Sequence, residues 1–153
     1  TPENSIEALS QFKSVKKRME KIYTINNIEL YDDFAHHPSA IQTTLDGLKK
    51  LISKGRIIAV IEPRSNTMKL GAMKNYLVES LKVADATFCY ANNLSWDAHK
   101  LFKDVSNTDV YENVDQLAEK IAQFSQSGDK IIFMSNGSFS GLQSKVAKAL
   151  NHE

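Results

Sequence analysis

Residues 32–38, DDFAHHP, crowd two aspartates, two histidines and a proline into seven consecutive positions. Side chains of these types could hold a metal, move protons, or rim a cleft that takes hydroxyls and anions. Two further clusters stand out. In IEPRSNT, Arg64 offers a planar fork for a carboxylate or phosphate, and Ser65, Asn66 and Thr67 add directional donors. A surface loop with an Arg64–Glu62 ion pair is the plainer alternative there. In MSNGSFSG, Ser135, Asn136 and Gly137 run into a helical pattern. Gly137 and Gly141 allow close backbone approach, and free N–H groups at a helix start favour an anion. A simple strand-to-helix turn with serine caps would use the same residues.

Each cluster also excludes chemistry. Alternation along a strand sends Asp32 and Asp33 to opposite faces, so one ligand cannot engage both. Pro38 suits the first position of a helix, which leaves His37 or His36 near its N-cap. The positive end of that helix favours the neutral imidazole, so the histidines offer hydrogen bonds rather than a fixed charge. One aspartate and one histidine could equally do no more than tie down the turn. Structural zinc wants a second spaced ligand pair, and His99, His152 and Cys89 do not supply one. No G-x-x-x-x-G-K-[ST] occurs, and no G-x-G-x-x-G follows a strand. Three polar subsites without a nucleophile, metal cage or phosphate loop read as half of an active site.

The elements that position these clusters are legible from periodicity. EKIYTI and IELYDDF, separated by Asn26-Asn27, read as a hairpin. SAIQTTLDGLKKLI carries Ile41, Leu45, Leu48 and Ile52 at helical spacing, and RIIAVIEP follows as a continuous apolar strand. A helix through GAMKNYLVESL, a strand ATFCY, a short helix near SWDAHKLF and a weak strand TDVYE come next. The helix NVDQLAEKIAQF, the strand DKIIFMSN and the helix GLQSKVAKAL close the chain. Strands apolar on both faces, alternating with amphipathic helices, specify a mainly parallel sheet covered on both sides. The expected architecture is a three-layer α/β domain of Rossmann-like type with an N-terminal hairpin strand at one edge. In such sheets, ligands bind beyond the carboxyl ends of the strands, where all three polar clusters fall.

Composition narrows the partners. The 153 residues make one domain, 42% hydrophobic and 24% charged. A net charge of +1 leaves no footprint for nucleic acid or an anionic membrane, and Lys16-Lys17-Arg18 reads as a solvated face. The single cysteine, Cys89, fits a reducing compartment and reads as a small buried hydrophobe. No apolar run approaches the roughly 20 residues that span a bilayer. No stretch reads as a secretory signal.

ALSQFKSVKKRME, YDDFAHHPSAI, EPRSNTM and MSNGSFSG, in that order, resemble the C-terminal domain of the Mur ligases, over essentially the whole chain. DDFAHHP is shared with ligases that join muramate to alanine, whereas EPRSNTM and SNG-F-G are similar to the branch that recycles peptides. The resemblance implies an ATP-dependent, cytoplasmic amide-bond ligase of peptidoglycan metabolism. Residues 1–18 would be a linker and short helix from a preceding central domain, and residues 19–153 the C-terminal domain. The central domain would bind most of ATP and Mg2+, and a first domain UDP-N-acetylmuramate. The amine substrate would be the tripeptide L-Ala-γ-D-Glu-meso-diaminopimelate, or L-alanine in the alternative branch. By the same resemblance Asp33 would bind the ATP ribose, His36 would lie near the nucleotide, and His37 is a second candidate. Arg64, Ser65 and Asn66, with Ser135, Asn136 and Gly137, would line the amine pocket. Ser39 stands where threonine is commoner in the family, and D-N-P-R, the diaminopimelate signature of a related branch, does not occur. No catalytic residue or metal ligand is expected in this chain alone.

Three rival readings can be named. A phosphoacceptor signalling domain needs an aspartate at a second strand end and a lysine after the last strand, where this chain has IEPRS and MSNGS. A metal-dependent hydrolase lacks ligands, and an inactive binding module would keep only the fold.

Overall fold

A computed structural model describes residues 18–63, 71–91, 97–135 and 137–151. The first described elements form the expected hairpin, β1 (Glu20–Ile25) against β2 (Ile28–Asp33), paired antiparallel. Asn26 and Asn27 both take positive φ, 54° and 64°. A two-residue hairpin turn matching the strand twist needs that conformation, and asparagine tolerates it. The turn is tied to the far end of the chain, because Asn26 Nδ2 donates to Leu150 O at 3.0 Å.

Four more strands follow, β3 (Ile57–Ile61), β4 (Ala86–Tyr90), β5 (Thr108–Tyr111) and β6 (Lys130–Met134). They assemble in the order β1-β2-β6-β3-β4-β5, and every pair except β1–β2 is parallel. The helices are α1 (Pro38–Leu51), α2 (Gly71–Ser80), α3 (Ala98–Leu101), α4 (Val114–Phe124) and α5 (Leu142–Asn151). Every residue of β3 and β4 is buried, which explains their unbroken apolar sequences. On one face Ile57, Ala59, Ile61, Cys89, Ile132 and Met134 pack against α1, α2 and α3. On the other, Ile58, Val60, Phe88, Ile131 and Phe133 pack against α4 and α5. The three layers and the edge hairpin are as expected from the sequence.

Local signals set the helix ends. Pro38 opens α1, and the Asp97 and Asn113 side chains accept from Lys100 N–H and Gln116 N–H to cap α3 and α4. Gly55 holds φ at +100°, and a Cβ there would run into Gly128 O. Below the sheet, Arg56 and Asp129 lock the starts of β3 and β6 together. Arg56 Nε and Nη2 donate to the two oxygens of the Asp129 carboxylate at 2.9 and 2.7 Å.

A second carboxylate sits on β2. Tyr31 Oη donates to Glu29 Oε1 at 2.6 Å, and burial together with that carboxylate pushes the tyrosine pKa up to about 12 from 10.0. Raised in the fold, this group contributes stability that is present below pH 10 and lost as pH climbs towards 12. Urea unfolding across that window should show falling stability, and Tyr31→Phe should flatten the fall. Equal slopes for both proteins would refute this assignment.

Candidate functional site

Three polar strand ends meet because β6 inserts between β2 and β3. Asp33 is level with Met134, and Met134 is level with Ile61, so the tips of β2, β6 and β3 form one row. Ser135 N–H donates to Asp33 O at 3.1 Å, and Glu62 N–H donates to Met134 O at 3.3 Å. Beyond the row the chain divides. β2 and β3 lead to helices on one face, whereas β6 leads to α5 on the other. Divergent connections of this kind open a crevice at the strand ends, the place where open α/β sheets bind ligands.

Asp32 and Asp33 point to opposite layers, as alternation requires. Gln143 Nε2 on α5 donates to Asp32 Oδ1 at 3.1 Å. On the α1 side, Asp33 Oδ1 accepts from Ala35 N–H at 2.8 Å and from Thr44 Oγ1 at 3.3 Å. Its Oδ2 accepts from Met19 N–H at 2.9 Å. Asp33 is only 3% exposed. A carboxylate has about four acceptor positions, and among the described residues three donors fill those of Asp33, leaving one on Oδ2. That remaining position suits one hydroxyl donor and leaves no pair of free oxygens for a metal.

His36 is half-buried, with Nδ1 3.2 Å from Phe34 O, and it lines a narrow gap with Ile61, Glu62 and Met134. His37 is the N-cap residue of α1, but only its carbonyl serves the helix, accepting Ile41 N–H at 2.8 Å. Its exposed ring borders an open groove of about 360 Å³ with Pro38, Tyr76 and Glu79. The two histidines therefore face different spaces.

Ser135 is 5% exposed, and Gly137 N–H donates to its Oγ at 3.0 Å. The same Oγ donates to Glu62 Oε1 at 2.6 Å. Glu62, which the sequence suggested only as an ion-pair partner of Arg64, thus joins the site through a contact to Ser135 across 73 positions. The loop that follows is held by Phe139, whose buried ring stacks 6.2 Å from Tyr90 and meets Phe133 edge-on at 6.1 Å. Phe139, Ser140 and Gly141 all have positive φ, at 60°, 53° and 73°. Such a run is costly for Phe and Ser, and the packed ring holds it in place. Arg64, Ser65, Asn66 and Asn136 lie outside the described residues.

Residues 17–137 match a family described as Mur ligase, glutamate ligase domain. A UDP-N-acetylmuramate--L-alanyl-gamma-D-glutamyl-meso-2,6-diaminoheptandioate ligase of Haemophilus influenzae is 41% identical over 155 residues, covering 97% of this chain and 33% of that protein. The crystal structure of a murein peptide ligase from Psychrobacter arcticus superimposes with a TM-score of 0.82 at 40% identity, covering 90% of this chain and 30% of that one. A crystallised domain from a putative ligase of the same substrate name, from Haemophilus ducreyi, gives 0.75 at 36% identity, covering 87% of this chain and 99% of that one. The chain therefore spans about a third of the length of the curated relatives it matches.

Proposed function

The chain belongs to the Mur ligase family, and from that premise we propose that it is the C-terminal domain of an ATP-dependent peptide ligase of peptidoglycan recycling. The full-length enzyme would join UDP-N-acetylmuramate to L-Ala-γ-D-Glu-meso-diaminopimelate in the cytoplasm. Residues 19–153 form the domain, and residues 1–18 lead in from the central ATPase domain onto which it docks. The observation that supports this reading is the row of tips β2, β6 and β3, which sets Asp33 and Ser135 side by side at one edge of the sheet.

ATP, when bound, supplies the phosphoryl group that activates the muramyl carboxylate, and Mg2+ stays with the central domain. This chain contributes binding and closure. Asp33 offers its remaining Oδ2 position to a ribose hydroxyl, with His36 beside it, and His37 meets the facing domain from the outer groove. Arg64, Ser65 and Asn66 grip a carboxylate of the peptide, and Asn136 and the backbone of Gly137 also serve that substrate. Closing the crevice over the central domain excludes water from the reactive acyl phosphate and holds the amine within attack distance.

Assays of the full-length protein test this directly. ATP turnover should require UDP-N-acetylmuramate and the tripeptide, and L-alanine should not replace the tripeptide. Efficient use of L-alanine would move the protein to the muramate–alanine branch. Steady ATP turnover by the isolated chain would overturn the half-site reading. Arg64→Ala should raise KM for the tripeptide by roughly tenfold or more, through loss of a charge-assisted bidentate contact, with KM for ATP little changed.

A further inference from the structure

We propose that Glu62, held in place by Ser135, receives the charged amino group of the incoming peptide. This rests on the peptide-ligase reading and names a residue which that reading leaves unused. Glu62 stands immediately after the tip of β3, with its backbone N–H bonded to Met134 O of β6. Its position is fixed through its side chain as well. A hydroxyl has one proton, and the Ser135 Oγ already accepts Gly137 N–H, so its proton is committed to Glu62 Oε1 at 2.6 Å. Buried and doubly engaged, Ser135 is a positioning residue rather than a substrate contact.

That leaves Oε2. Among the described residues, the Glu62 carboxylate takes no hydrogen bond or ion pair besides the one from Ser135. Half-buried Glu62 lines a narrow gap together with His36, Ile61, Leu77 and Met134, where a cation would supply the partner its second oxygen lacks. A cationic group entering the crevice would complete it. The amine substrate of a ligase brings such a group, since a peptide α-amine is an ammonium below pH about 8. Ser135 holding one carboxylate oxygen leaves the other to receive that ammonium beside the nucleotide rim at Asp33 and His36, and to take the proton the amine must shed before its lone pair attacks. Neutral amines and hydroxyl analogues would lose this contact.

The test uses the full-length enzyme with the tripeptide. Glu62→Gln keeps the shape and the Ser135 bond while removing the charge. It should raise KM for the tripeptide about tenfold or more at pH 7 while KM for ATP stays within about twofold. The penalty should shrink as pH rises through about 8, where the amine becomes neutral. Among the described residues, His36 is the other titratable side chain lining the same gap. Ser135→Ala should give a smaller penalty of the same pH shape, and it should add little in the Glu62→Gln background. An unchanged KM for the tripeptide, a penalty that is flat with pH, or full additivity of the two variants would each overturn the proposal. A wild-type enzyme that ignores the tripeptide would remove the underlying peptide-ligase reading instead.

Discussion

Asp129→Ala should lower the unfolding free energy of the chain by about 3–5 kcal/mol, the usual cost of stripping one partner from a buried ion pair. Asp129 is 2% exposed, and its carboxylate takes both arms of the Arg56 fork and Gln126 N–H at 2.7 Å. Arg56 in turn donates to Phe124 O at 3.0 Å and lies 4.4 Å over the Phe124 ring. One carboxylate thus ties the start of β3, the start of β6 and the end of α4. Arg56→Ala should be comparably costly because it strands the Asp129 charge, whereas exchanging both residues for apolar ones should recover part of the loss. Chemical denaturation of the four proteins measures this. A loss under about 1 kcal/mol for Asp129→Ala would show that water replaces the pair. None of these variants touches the crevice, so ligase kinetics in the full-length protein should survive wherever the fold does.

The difference between this lock and the crevice shows what a single sequence makes legible. Local pattern was enough for the Asn26-Asn27 turn, the buried run Ile57–Ile61 and the Pro38 helix start, because each is decided within a few residues. Alternation along β2 was enough to separate Asp32 from Asp33, and the structure places their partners on α5 and α1. Strand order is a different matter. The insertion of β6 between β2 and β3 brings together residues about a hundred positions apart, and no periodicity encodes it. The bond from Ser135 to Glu62 was hidden for the same reason, and the sequence offered only Arg64 as a partner for that carboxylate. The Phe139 anchor was hidden by its composition, because Ser-Phe-Ser-Gly gives no sign that a phenylalanine takes positive φ. Family resemblance implied nucleotide-side roles for Asp33 and His36, but only the fold shows how much of Asp33 its own chain already uses.

That prior use makes Asp33→Ala the most informative change at the site. Three donors lose their acceptor at once, Met19 N–H, Ala35 N–H and the Thr44 hydroxyl. Buried donors left unpaired cost about 1–3 kcal/mol each, offset where water can enter, so the chain should lose about 2–4 kcal/mol. A ribose contact would add a second effect in the full-length enzyme, a rise in KM for ATP of about tenfold. The two are separable with Thr44→Val, which removes one donor and leaves the carboxylate and its open Oδ2 position intact. If Asp33 binds nucleotide, Thr44→Val should cost about 1 kcal/mol of stability with KM for ATP nearly unchanged. If Asp33 only braces the turn, KM for ATP should follow stability across both variants. An Asp33→Ala enzyme that stays folded and binds ATP normally would leave the carboxylate as a strut between Met19, the β2 tip and α1.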